Sequence, residues 1–219
     1  MVTFEDVKNN PAVSVYIARA DDTLKALGYT EHSFAHVSKV SALAAEILEK
    51  LDYSPREIEL AKIAGYLHDI GNIVNRVEHS QSGAVMAFRI LDKMGMDADD
   101  LATVISAIGN HDEGVGVPVN AVAAALILAD KSDVRRSRVR SKEDIAFDIH
   151  DRVNYSVINS SLLVEKEDKV IRLKLSIDTA YCSVMDYFEI FLERMILCRK
   201  AAELLGFSFK LNINEQQLI

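Results

Sequence analysis

Proline is scarce in this chain. Only Pro11, Pro55 and Pro118 occur among 219 residues, so few positions interrupt a helix. Cysteine is scarcer still. Cys182 and Cys198 form no CxxC pair, which excludes a cysteine-built metal or redox motif; a reducing cytoplasm is the natural setting for them. No apolar run approaches the roughly 18–20 residues of a membrane span, so no membrane role is expected. The opening residues, Met1-Val-Thr-Phe-Glu-Asp6, are acidic and carry no signal-peptide pattern. Positive charge is in deficit, with 25 Lys and Arg against 33 Asp and Glu, a net charge of −8. That balance excludes a general binder of nucleic-acid polymers, which needs basic surface to displace counterions. It leaves room for a small anionic substrate if bound cations supply the charge locally.

What is present is apolar residue in quantity, 49% of the chain. That is enough to bury a core without disulfides. Residues 1–150 read as nearly all helix. Helical stretches are expected over about 12–27, 31–52, 55–69, 80–94, 98–111 and 119–133. Ser54-Pro55-Arg56-Glu57 is a helix start, with serine as N-cap, proline in the first turn and glutamate closing a capping box. Gly71 suits the C-cap of that helix. After residue 150 the pattern changes. Residues 155–164 and 170–177 are rich in β-branched side chains and flank the charged turn Glu165–Lys169. A long apolar helix follows over 181–205, and then Phe207, Phe209, Leu211 and Ile213 alternate with polar residues as a strand does. The predicted architecture is mainly α. A helical domain spans 1–150, and a C-terminal α+β segment at 151–219, a small antiparallel sheet with its helix, packs on it. The apolar helix is read as core or as a dimer interface, which leaves a homo-oligomer open.

Of six histidines, four fall at telling places. His36 lines up with Val40, Leu43 and Ile47; His68 with Ala61 and Ala64; His79 with Gly83, Met86 and Ile90; His111 with Val104 and Ile108. Asp130 continues the face of Ala123, Leu126 and Ile127. Five polar groups from five helices thus point inward. Each is costly to bury alone, and convergence on a cation satisfies them together. Imidazole mixed with carboxylate suits one or two divalent transition metals: Mn, Fe, Co, Ni or Zn. The adjacent pair His68-Asp69 ends a helix, where slight unwinding turns both toward one point.

The ordered set His36, His68-Asp69, Asp130 resembles the H…HD…D signature of the HD-domain metal-dependent phosphohydrolase superfamily. The local contexts also match: His36-Val-Ser-Lys-Val40, Ala64-Gly-Tyr-Leu-His-Asp-Ile-Gly71 and Ile127-Leu-Ala-Asp-Lys131. His79 and His111 fall between, as in the binuclear branches, which include symmetrical diadenosine-tetraphosphate hydrolases and cyclic-dinucleotide phosphodiesterases. The resemblance covers about residues 32–140. It implies a first metal on His36, His68, Asp69 and Asp130, a second on Asp69, His79 and His111, and Asp69 as the bridging catalytic residue. It also implies hydrolysis of a phosphoester or phosphoanhydride of a nucleotide by metal-activated hydroxide. Asn110 to Pro118 is similar to a shortened HD-GYP signature but departs from it at Asn110 and Val117, and again at Asn72 upstream. Ala129 to Arg136 looks closer to the diadenosine-tetraphosphatase branch.

The basic run Lys131, Arg135, Arg136, Arg138, Arg140 stands out in an acidic chain. It reads either as a solvated helix end or as a phosphate clamp. Lys131 and Arg136 are the expected substrate contacts, Arg136 by resemblance. Asp133 is expected at the surface, and His32 at the surface or beside the motif. The alternatives to a nucleotide hydrolase are a cyclic-dinucleotide phosphodiesterase and a non-catalytic nucleotide-binding HD module.

Overall fold

The fold is built around one helix that has no solvent face. In the computed structural model, which describes residues 1–140 and 149–219, this is α7 (Ala121–Ser132). Val122 through Ala129 are all buried. Its alanines carry no bulk, so neighbouring helices approach it from every side, as a helix apolar all round requires. Packed about it are α3 (Phe34–Lys50), α4 (Pro55–Leu67) and α6 (Ala98–Gly109). Outside these lie α1 (Phe4–Lys8), α2 (Pro11–Ala26) and α5 (His79–Lys93).

Local signals set the helix starts. Ser54 caps α4 in the expected capping box with Glu57, and Ser33 and Asn120 cap α3 and α7. α3 and α4 come into near-backbone contact at Gly65, where a Cβ would lie 2.7 Å from the Ser41 Cα. The helix expected to reach Asp69 stops at Leu67, and a 3-10 turn follows at Ile70–Ile73. Gly71 is therefore not a C-cap. It lets that turn press on the start of α5, because a Cβ there would sit 2.0 Å from the His79 carbonyl oxygen.

The rear of the chain holds α8 (Ile149–Ser156), β1 (Val157–Glu165), β2 (Val170–Ile177), α9 (Val184–Leu204), β3 (Ser208–Ile213) and β4 (Gln216–Gln217). The hairpin β1–β2 forms as expected, except that Tyr155 and Ser156 belong to α8. The sheet, in order β1-β2-β3-β4, is mixed and not wholly antiparallel: β2 and β3 run parallel. The physical reason is α9. A helix between two neighbouring strands carries the chain back to the end where it began, which forces parallel pairing. Ile171, Leu173, Leu175, Phe209, Leu211 and Ile213 point to the buried side. α9 packs between this sheet and α7, and one continuous apolar cluster joins the helical body to the sheet. The boundary placed near residue 150 adjoins residues 141–148, which lie outside the described residues, as does the side chain of His150. No helix among the described residues is long and apolar enough to cross a membrane.

Candidate metal centre

Six side chains from separate elements meet beside the C-terminal end of α7. His36 comes from the first turn of α3. His68 and Asp69 come from the break between α4 and the 3-10 turn. His79 opens α5, His111 follows α6, and Asp130 lies in the last turn of α7. The break after Leu67 lets two consecutive residues face one point. All four histidines and Asp69 are buried.

Asp69 divides the cluster. Its Oδ2 lies 3.2 Å from His68 Nε2 and 3.5 Å from His36 Nε2. Asp130 Oδ1 completes that side, 3.3 Å from His36 Nε2 and 3.6 Å from His68 Nε2. The other oxygen, Oδ1, lies 3.4 Å from His79 Nε2 and 4.0 Å from His111 Nε2. It also accepts a hydrogen bond from Asn72 Nδ2 at 2.9 Å.

The outer nitrogen of each ring fixes its tautomer. His68 Nδ1 lies 2.8 Å from the Gly65 carbonyl oxygen, His111 Nδ1 2.6 Å from that of Ile108, and His79 Nδ1 3.1 Å from that of Arg76. His36 Nδ1 lies 2.8 Å from Asp133 Oδ2. These partners only accept, so each Nδ1 carries a proton and each Nε2 faces inward, able to ligate a cation when it carries none. This arrangement orients metal-ligating histidines. His36 Nε2, His68 Nε2 and Asp69 Oδ2 are buried with no hydrogen-bond partner. Orphaned buried acceptors are rare because they are costly, and a cation satisfies all three. His36, His68 and Asp130 form one set of donor atoms within 4.8 Å of one another, and His68, Asp69 and His111 form another.

Electrostatics agree with the geometry. Burial alone would lower His68, but the carboxylates of Asp69 and Asp130 outweigh it and raise the imidazole to about 10. The same place favours a cation, which would displace that proton. Burial, helped by neighbouring positive groups, pushes His79 and His111 down. They are therefore neutral imidazoles, the form that ligates.

Asp133 is not at the surface as expected. It is buried, 1% exposed, because α7 ends at Ser132 and the chain turns inward. Lys39 Nζ at 2.7 Å and Arg135 Nε at 3.0 Å also reach it. His36, Arg138 and Lys39 outweigh its burial and hold it far below the usual carboxylate range. His32 stands beside the cluster, its ring 5.3 Å from that of His36.

A cleft of about 230 Å³ opens on Asp69, His79 and Asp130, and Tyr29, Arg76, Lys131, Arg138 and Arg194 are among its lining residues. Lys131 lines this cleft, held 2.8 Å from Asp130 Oδ2 and 2.6 Å from Glu113 Oε2. Arg136 does not line the cleft. The end of α7 swings it away, so that Nε donates to the Tyr155 carbonyl oxygen at 2.6 Å and the guanidinium sits 4.5 Å from the Tyr155 ring centre. Arg138 lies at the cleft in its stead, anchored on the carbonyl oxygens of Glu31 and Asp133. Two lining cations escaped sequence reasoning. Arg76 sits in a turn without periodicity. Arg194 shares the buried stripe of Tyr187, Phe191 and Cys198 on α9, a spacing that could have revealed it.

The comparisons with known proteins bear on the same residues. The HD domain model matches residues 33–155, which hold all six converging side chains. Uncharacterized protein MJ1020 of Methanocaldococcus jannaschii is 25% identical over 198 residues, covering 78% of this chain and 74% of that protein. A solved structure, that of a predicted HD superfamily hydrolase from an uncultured Thermotogales bacterium, is 27% identical over 62% of this chain and 75% of that one, with a TM-score of 0.46. The family match spans more than half of the chain, and the chain belongs to the HD domain superfamily of metal-dependent phosphohydrolases.

Proposed function

We propose that the chain hydrolyses a phosphoester or phosphoanhydride in a small molecule, a nucleotide by the resemblance of its motif. His36, His68, Asp69 and Asp130 would hold one divalent transition cation, and Asp69, His79 and His111 a second. The observation that carries this reading is Asp69, whose two oxygens face two separate histidine pairs in a buried cluster. When bound, such cations supply Lewis-acid charge to phosphoryl oxygens and acidify water.

The chain's own residues do the remaining work. Asp69 links the two halves and keeps them in register. Asp133 holds His36 in the ligating tautomer. Lys131 neutralises the outer oxygen of Asp130, leaving the inner one for the cluster. Lys131, Arg138 and Arg194 line the cleft beside the carboxylates of Asp69, Glu113 and Asp130, and with cations bound at the cluster an anionic substrate would meet fixed positive charge there. About 230 Å³ is at the small end for ligand pockets, which favours a small phosphorylated group over a bulky one.

The test is phosphate release from a panel of nucleotides, cyclic dinucleotides and simple phosphoesters, with Mn, Fe, Co, Ni or Zn added to the stripped protein. Metal-dependent turnover of a small phosphorylated compound is the expected result. Tight nucleotide binding without turnover under any metal would make the chain a binding module and overturn the reading.

A further inference from the structure

Four cations line the cleft: Arg76, Lys131, Arg138 and Arg194. Three of them are already matched by carboxylates of the chain. Lys131 lies between Asp130 and Glu113, Arg194 Nε is 2.8 Å from Glu113 Oε1, and Arg138 Nη1 is 3.9 Å from Asp133 Oδ2. Arg76 differs. Among the described residues it has no ion pair with a carboxylate. Its Nη1 makes long contacts to neutral groups, 3.4 Å to Asn72 Oδ1 and 3.2 and 3.4 Å to Nε2 and Nδ1 of the His79 ring. Its guanidinium carbon lies 5.8 Å from the Tyr29 ring centre, within the range of a cation–π contact.

We infer that Arg76 is the substrate-binding residue that receives the anionic oxygens of the phosphoryl group on the His79 side of the cleft. The inference rests on the proposed metal reading. His79 Nε2 can hold one partner along its lone pair. A cation held at Nε2 would take that lone pair, and the Arg76 guanidinium, which has no carboxylate partner among the described residues, would keep its charge for an anion in the cleft it lines. Guanidinium pairs with phosphate oxygens in a planar, two-pronged contact that a neutral amide or a ring nitrogen cannot match. Its position three residues before His79, in the short loop between the 3-10 turn and α5, keeps it within reach of both the cluster and Tyr29 on the cleft lining. Lys131 and Arg194 also line the cleft but are both paired with Glu113, which leaves Arg76 as the lining cation for a phosphoryl oxygen.

The experiment is calorimetric titration of inorganic phosphate into the metal-loaded full chain, with metal content measured on the same samples. Arg76→Ala, Arg76→Lys and the parent are compared. Arg76→Ala is expected to weaken phosphate binding about tenfold or more, the loss of a charge-assisted contact, with metal content unchanged. Arg76→Lys is expected to recover part of the loss, since it restores the charge without the fork. On the substrate found by the panel, KM should rise by a similar factor. Unchanged phosphate affinity in Arg76→Ala overturns the inference and leaves the hydrolase reading intact. Loss of metal from both variants also overturns it, because Arg76 would then act by supporting His79. A parent chain that takes up no metal and binds no phosphate overturns the hydrolase reading and this inference together.

Discussion

Asp133 holds His36 at 2.8 Å across 97 residues of sequence and turns its Nε2 toward Asp69 and Asp130. The carboxylate is buried, yet it touches Lys39, Arg135 and Arg138 as well. A lone buried charge costs several kcal/mol, and these partners offset that cost. Asp133→Asn keeps the shape and removes the charge. It is expected to lower metal affinity about 10–100-fold, the usual effect of losing a ligand's outer partner. Titration with Mn or Co checks this, and equal affinity in the variant would assign Asp133 to stability alone.

Gly71 tests the packing that positions His79. A methyl group at this site would meet the His79 carbonyl oxygen at 2.0 Å and the Gly83 backbone nitrogen at 2.4 Å. Gly71→Ala is expected to cost about 3 kcal/mol or more, because backbone on both sides has to move. The control is Gly114→Ala, where the nearest atom is 3.9 Å away; a change within about 0.5 kcal/mol is expected there. Denaturant unfolding of the two variants distinguishes them, and equal stability would disprove the close approach.

Arg136 anchors the C-terminal segment. Its guanidinium sits against Tyr155 and Tyr181, 4.5 Å and 5.5 Å from the ring centres, and its ion pair with Asp178 is long at 3.7 Å. Arg136→Ala is therefore expected to cost about 1–2 kcal/mol of stability. KM for the best substrate and metal content should stay at the parent's values. A raised KM with unchanged stability would return Arg136 to the substrate.

Removing metal should loosen the whole body, because the cluster joins α3, α4, α5, α6 and α7. A cation at 100 times its Kd adds about 2.7 kcal/mol to the folded state, roughly 5–10 °C in Tm for a chain of this size. Chelation is expected to lower Tm by that amount, and Mn, Co, Ni or Zn to restore it. A Tm that ignores both treatments would show that the six side chains satisfy one another without a cation.

The convergence of the six side chains was legible because five of them continued the apolar stripes of their own helices and Asp69 adjoined His68. His36 falls in line with Val40, and His111 with Ile108, whatever the tertiary structure. The mainly α class followed from the same periodicity. What was not legible depended on where helices stop. Resemblance placed Arg136 at the substrate, and Asp133 was expected at the surface, whereas the turn after Ser132 buries Asp133 against His36 and carries Arg136 to Tyr155. Likewise Gly71 suggested a helix end, but its use is contact with α5. The alternation in β3 shows a strand and its buried face but not its direction, and α9 makes the pairing with β2 parallel. Arg76 left no trace in the sequence because a turn has no period.

The most direct measurement is metal content and turnover of Asp69→Ala beside the parent. Asp69 Oδ2 faces His36 and His68, and Oδ1 faces His79 and His111. Removing the shared carboxylate should empty both halves at once, because two cations lose their common ligand and repel each other. The account predicts up to two equivalents of metal per chain and metal-dependent phosphate release in the parent, and neither in Asp69→Ala. An Asp69→Ala chain that keeps its metal and its full rate would contradict it.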